Sequence, residues 1–230
     1  ERLPGKVLLD ICGQTMLERV VRRVQRARLI DHVVVATSIN PADDRIAAAA
    51  RQLGVGISRG SEEDVLDRFR DAAEENDAST IVRVSADSPF VDPDVCDLVI
   101  RTLHASDADY ASNKLSPTYP LGLDAEAFTR EALEEAARDA AEAFERSHVT
   151  VFMYMNPDRF KLLPVTGERD LHAWRWTVDT PPDLEFARAM YERLGAGNDF
   201  SWLDAVSVLE KEPELAEINS SIVAKPISAG

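Results

Sequence analysis

The stretch Thr80-Ile81-Val82-Arg83-Val84-Ser85-Ala86-Asp87-Ser88-Pro89-Phe90 decides how the fold is read. Residues 80–84 are a short run of β-branched and apolar side chains. Such runs mark strands buried on both faces of a parallel sheet. Asp87 stands just beyond that strand, where open parallel sheets bind ligands. An aspartate there also caps turns, and local sequence alone supports both readings.

Outward from this stretch the chain alternates strands with amphipathic helices. Residues 33–37 and 54–58 read as further short strands. Thr15 with Glu18 forms a capping box ahead of Met16, Leu17, Val20, Val21 and Val24. Ser61 with Asp64 does the same ahead of Val65, Leu66 and Phe69. Asp92 followed by Pro93 starts a third helix, since proline's fixed φ suits the first helical position. Thr180-Pro181-Pro182-Asp183 starts a fourth. This is α/β architecture, a mostly parallel sheet flanked by helices with right-handed crossovers.

The middle of the chain reads differently. Residues 108–112, 118–128, 149–155 and 160–165 read as strands, with a helix at 129–146. The Asn156-Pro157-Asp158 turn predicts an antiparallel hairpin of 149–155 against 160–165. That inserted hairpin, 149–165, is expected to pair two copies in a homodimer. Residues 202–217 read as one or two short helices. The expected organisation is one domain over 1–219 and a loose tail over 220–230. Doubly wound folds open with a buried strand, and residues 1–6 are instead a polar loop. A strand is therefore expected ahead of Glu1.

Composition narrows the function classes. The chain has 230 residues, 45% apolar and 29% charged, with a formal net charge of −15. That acidity argues against general binding to nucleic acid or to an anionic membrane. No apolar run approaches the roughly 20 residues of a membrane span. Two cysteines, Cys12 and Cys96, supply no disulfide framework, and the four histidines lack metal-ligand spacing. A reducing, cytoplasmic setting is expected.

Several residue groups bear chemistry. Trp176-Thr177-Val178-Asp179-Thr180 places Asp179 in the same setting as Asp87, after a strand run and before a capped helix. Two carboxylates at strand ends can hold magnesium, which takes oxygen ligands and keeps waters and phosphates. The plainer reading of Asp179 as part of a helix cap is outweighed by the duplicated setting. Arg2-Leu3-Pro4-Gly5-Lys6 puts two cations around a turn. Arg59-Gly60-Ser61 leads into a helix N-terminus, which accepts anions. In an extended segment Gly122, Asp124 and Glu126 share one face, suited to sugar hydroxyls or equally to solvent. Arg146-Ser147-His148 sits at a helix-to-hairpin junction.

Taken in order, these pieces resemble the sugar and sugar-acid cytidylyltransferases, near the spore coat polysaccharide biosynthesis type. The resemblance rests on Arg2-Leu3-Pro4-Gly5-Lys6, Arg59-Gly60-Ser61 with Asp64 to Arg68, and the stretch from Arg83 to Phe90. Gly122 to Glu126, His148-Val149-Thr150 and Thr177-Val178-Asp179 complete it. It implies a sheet of the nucleotide-diphospho-sugar transferase type. It implies that Lys6 and Arg2 meet a triphosphate, and that Arg59, Gly60, Ser61, Ser85 and Ala86 lie around base and ribose. It implies that Asp87 and Asp179 hold Mg2+. The acceptor side is assigned to Gly122, Asp124, Glu126 and His148. Catalysis is expected from Lys6, Asp87 and Asp179.

The expected reaction moves CMP from CTP to a sugar or sugar acid and releases pyrophosphate. The alternatives are a metal-dependent glycosyltransferase using a nucleotide sugar and a non-catalytic nucleotide- or sugar-binding protein. Pyrophosphate as product separates the first from the others.

Overall fold

A computed structural model describes Leu3 and residues 5–222. In chain order the elements are β1 (Asp10–Ile11), β2 (Gln14–Thr15), α1 (Met16–Val24), β3 (Val34–Ser38), α2 (Asp44–Leu53), β4 (Gly56–Gly60), α3 (Val65–Glu75) and β5 (Thr80–Arg83). There follow α4 (Pro93–His104), β6 (Tyr110–Ser112), β7 (Glu126–Thr129), α5 (Arg130–Asp139), α6 (Ala143–Ser147) and α7 (Val151–Met155). The last elements are β8 (Leu162–Pro164), α8 (Pro181–Arg193) and α9 (Trp202–Lys211). None of these helices is long and apolar enough to cross a membrane. Cys12 and Cys96 are free thiols.

The α/β class holds, with parallel and antiparallel pairings combined. β3 and β4 pair in parallel. A second sheet runs in the order β5-β7-β6-β8. In it β7 is antiparallel to both β5 and β6, and β6 is parallel to β8. Between β3 and β5 lies a groove of about 600 Å³, walled by Val21, Val35, Phe69, Val82 and Ile100. No described strand bridges these two edges. Lys6, Ser85, Ala86 and Asp87 line the same groove.

Helix starts follow the capping chemistry in the sequence, with one shift. Thr15 accepts from the Glu18 amide, while the Glu18 carboxylate turns to Arg22 and leaves the box half made. Asp92 accepts from the amides of Asp94 and Val95 at the head of α4. Thr180 and Asp183 form a full box on α8. α3, however, is capped by Asp64, which accepts from the Asp67 amide, and Ser61 only receives the Asp64 amide one turn earlier.

Three readings of the middle are corrected. Residues 149–165 are not a hairpin: the run after Thr150 is the short helix α7, and only β8 is a strand. β propensity lost to burial here. Phe152 and Met153 turn into a second core cluster beneath α5, with Leu133, Phe128 and Tyr110, and Val151 is buried beside them in the chain. Phe152 meets Phe160 edge-on at 6.0 Å, and Arg159 lies over Phe152 while binding Glu135 and Asp139. A pairing of two copies through that hairpin has no hairpin to use. The antiparallel element of the fold is β7 instead. The helix expected at 129–146 breaks at Ala140, whose backbone is extended. Glu142 and Glu145 box a new start, and Arg146 donates to the freed carbonyls of Ala137 and Ala140.

The third correction concerns 118–128. A strand forms only from Glu126, and Gly122 sits in a turn at φ 101°. Gly122, Asp124 and Glu126 therefore do not share one extended face. Leu121 instead bridges Arg175, exchanging backbone bonds with Trp174 and Trp176. A Cβ on Gly122 would stand 2.3 Å from the Thr177 nitrogen and 2.8 Å from the Trp176 carbonyl carbon. Backbone cannot yield as a side-chain tip does. Gly122→Ala is expected to destabilise the fold by about 2 kcal/mol or more, from overpacking and positive-φ strain. A thermal melt should show a midpoint lowered by roughly 4 °C or more. A midpoint within a degree of wild type would contradict the close approach.

Candidate active site

Three segments far apart in sequence meet at one ammonium group. The first is a single 3-10 turn, Lys6–Leu8, entered through Gly5 at φ 60°. The second follows β5 through Ser85 and Ala86 to Asp87. There the Ser88 amide bonds back to Ser85, and Phe90 anchors the turn in a cluster with Trp176, Phe186 and Tyr191. The third is the extended segment before α8. It carries one isolated bridge at Arg175 rather than a regular strand, so Asp179 follows a segment less ordered than the sequence suggests. The Val178 amide donates to the Asp87 carbonyl, and the Leu3 amide to the Asp179 carbonyl. Backbone bonds thus lock the three segments together before any side chain acts.

The side chains then converge. Lys6 Nζ donates to Asp87 Oδ2 at 2.7 Å and to Asp179 Oδ1 at 2.6 Å. Burial works against the Lys6 charge, but the charge of Asp87 and bonds to Asp179 and Asp87 outweigh it, and its pKa is raised. Burial likewise works against the charge on Asp179. Lys6 and Arg175 overcome it and hold that carboxyl below its ordinary value. All three groups remain partly open to solvent. No group of three or more His, Cys, Asp or Glu gathers for a metal among the described residues. The donor set here is two carboxylate oxygens converging on one cation-sized point. That fits magnesium, which uses one or two carboxylates and completes its shell with waters and phosphates.

A second cluster lies around Glu126. Its carboxylate is buried and binds Arg83, Lys114, Tyr110 and Thr150. Thr150 reaches it because Val149, at φ 26°, reverses the chain after His148, an unusual conformation for a β-branched residue. Burial presses the Glu126 carboxyl up, but the charges of Arg83 and Lys114 prevail and bring it down to about 2. Asp124 is raised by burial, with Lys114 and Arg83 opposing. Asp87 is among the charges that act on Arg83, which ties this cluster electrostatically to the first. Glu126 itself is buried, while its partners Lys114 and Arg83 are partly open to solvent. His148 is half-buried at the end of α6.

A third group is Arg59, Gly60 and Ser61. The strand runs to Gly60, two residues beyond the sequence reading. Arg59 is engaged by the carbonyls of Ser38 and Asn40 and by Asp44. Arg68 donates to the Ser61 carbonyl and packs on Gly60. Ser85 and Ala86 stand beside Asp87 and Lys6 in the groove, whereas Arg59, Gly60 and Ser61 do not line it. Arg2 lies outside the described residues. Two residues beside Asp179 were missed from sequence, Arg175 and Asp183. The only signal was Asp183 in its capping box, with Arg175 eight residues earlier in the extended segment.

A family model described as cytidylyltransferase matches residues 1–202 of this chain. The chain belongs to the cytidylyltransferase family. Among its relatives, protein MJ1063 of Methanocaldococcus jannaschii is 34% identical over 98% of this chain and 92% of its own length. The spore coat polysaccharide biosynthesis protein SpsF of Bacillus subtilis is 32% identical over 94% of this chain and 91% of its own. A solved cytidylyltransferase from Leptospira borgpetersenii superposes with a TM-score of 0.90 at 28% identity, covering 98% of this chain and 94% of that one.

In this cytidylyltransferase the Glu126 cluster makes a pH prediction. The carboxyl falls from 4.5 to about 2 on folding. A depressed acid stabilises fully above its unfolded value, and that contribution fades as pH drops from 4.5 towards 2. Glu126→Gln should therefore cost about 3 kcal/mol at pH 7 and lose less stability than wild type between pH 4.5 and 2. Urea melts at pH 7, 4.5 and 3 check this. Parallel pH profiles for the two proteins would contradict it.

Proposed function

We propose that this cytidylyltransferase moves CMP from CTP to a hydroxyl of a sugar or sugar acid and releases pyrophosphate. The observation that carries this reading is Lys6 Nζ held between Asp87 and Asp179 in a chain of this family. An acceptor oxygen forms a bond to the α-phosphorus. The bond from that phosphorus to the β-phosphate oxygen breaks, and the acceptor's proton is released. Such chemistry asks the protein mainly for positioning and charge neutralisation.

The residues divide that work. Asp87 and Asp179 would hold Mg2+, which when bound supplies charge neutralisation across the phosphate oxygens. Lys6 is a compact charge on a flexible stem, suited to stabilise the departing pyrophosphate. Ser85 and Ala86 line the groove where a nucleotide would approach Asp87. Lys114 and Asp124, with His148, are assigned to the acceptor side, where hydroxyls find both donors and acceptors. The polysaccharide role printed for SpsF supports a sugar acceptor in surface-glycan synthesis.

The test is CTP-dependent pyrophosphate release from the full-length protein with magnesium and a panel of sugar and sugar-acid acceptors. Asp87→Asn and Asp179→Asn are each expected to lose roughly 100-fold or more in rate, with thermal midpoints near wild type. A near-normal rate for Asp87→Asn overturns the assignment. A nucleoside diphosphate as product, with no pyrophosphate, overturns the reaction itself.

A further inference from the structure

The two oxygens of Asp179 are shared between two cations. Oδ1 receives Lys6, and Oδ2 receives Arg175 Nη2 at 2.8 Å. Arg175 is itself held rigidly. Its Nε and Nη2 reach both oxygens of Asp183, at 2.8 and 3.1 Å, and its side chain is only 9% exposed. Asp183 is fully buried and carries an unusual load. Besides Arg175 it accepts from the amides of Asp179 and Thr180, the Thr180 hydroxyl and Asn219 Nδ2. Asn219 also donates to the Arg175 carbonyl at 2.9 Å.

A helix cap does not require this. The same chain contains an internal control in α9, where Ser201 and Asp204 form the same reciprocal box. Among the described residues Asp204 accepts only from the Ser201 amide and hydroxyl, with no arginine and no amide side chain. The α8 box is thus a cap with an added clamp, and the clamp points at Asp179. The bidentate fork fixes the guanidinium plane, which lysine could not do.

We propose that Arg175, locked by buried Asp183 and Asn219, is a positioning residue that aims Asp179 Oδ1 at the point shared with Lys6 and Asp87. It takes no part in bond making. It keeps Asp179 from rotating both oxygens onto Lys6, so that one oxygen stays directed at whatever cation occupies that point. This inference rests on the reading of Asp179 as a site carboxylate.

The test is a double-mutant cycle on the full-length protein with Arg175→Gln, Asp179→Asn and the pair. It has three readouts: pyrophosphate release, Mn2+ affinity in the presence of CTP by electron paramagnetic resonance, and thermal midpoint. Arg175→Gln is expected to weaken Mn2+ binding and lower kcat by roughly 10- to 100-fold each, the range for partners that orient a metal ligand. Adding it to Asp179→Asn should cause no further loss in either. Arg175→Lys keeps the charge without the fork and should be impaired in the same readouts, which covers the case where the glutamine variant does not fold. Asp204→Ala, at the control box, should leave Mn2+ affinity unchanged. Wild-type Mn2+ affinity and kcat in both Arg175 variants would overturn the proposal, as would losses that add fully to those of Asp179→Asn. An active Asp179→Asn would instead overturn the reading beneath it, so the two failures are distinguishable.

Discussion

Two carboxylates set within about 5 Å of each other repel by roughly 3 kcal/mol at the dielectric of a protein surface. Asp87 and Asp179 stand in that relation because one ammonium, Lys6 Nζ, lies between them. The cation is therefore a condition of the geometry. It also states the chemistry: a point that stabilises a positive charge between two oxygens can receive another hard cation and phosphates around it. The backbone bonds from Val178 to Asp87 and from Leu3 to Asp179 hold the point in place. Buried arginines brace the elements behind it. Arg19 binds carbonyls at Ile11, Cys12 and Ala196, and Arg23 those at Val91, Asn198 and Phe200.

What the sequence made legible follows from how local each signal is. The run ending at Arg83 is β5, and the aspartate beyond it lies at the converging point, because strand and adjoining turn are written in consecutive residues. Helix starts at Thr15, Asp92 and Thr180 are equally local. The run at 149–155 misled because β-branched and aromatic residues serve a buried helix as well as a strand. What settled it was the apolar cluster with Phe160, Leu133 and Phe128, a tertiary fact. Arg175 carries no motif of its own. Its role arises only when Asp179 and Asp183 fold back onto it.

The clusters differ in how they meet charge. At Lys6 the groups stay partly open to solvent. At Glu126 the carboxylate is sealed among four partners, and its charge acts only by fixing Arg83 and Lys114. The groove between β3 and β5 runs to the same end of the molecule, with apolar walls along its length and Ser85, Ala86, Asp87 and Lys6 along its lining. The partly open site, the sealed cluster and the groove thus differ in how far each exposes its polar groups to solvent.

The most direct test of the central claim is a thermal-shift panel on the full-length protein with CTP, UTP, ATP, GTP and dTTP, each with and without magnesium. A ligand at about 100 times its dissociation constant adds roughly 2.7 kcal/mol of stability. The account predicts that CTP with magnesium gives the largest rise in midpoint, and that the rise shrinks when magnesium is removed. No rise with any triphosphate, or an equal rise for all five without magnesium, would contradict it.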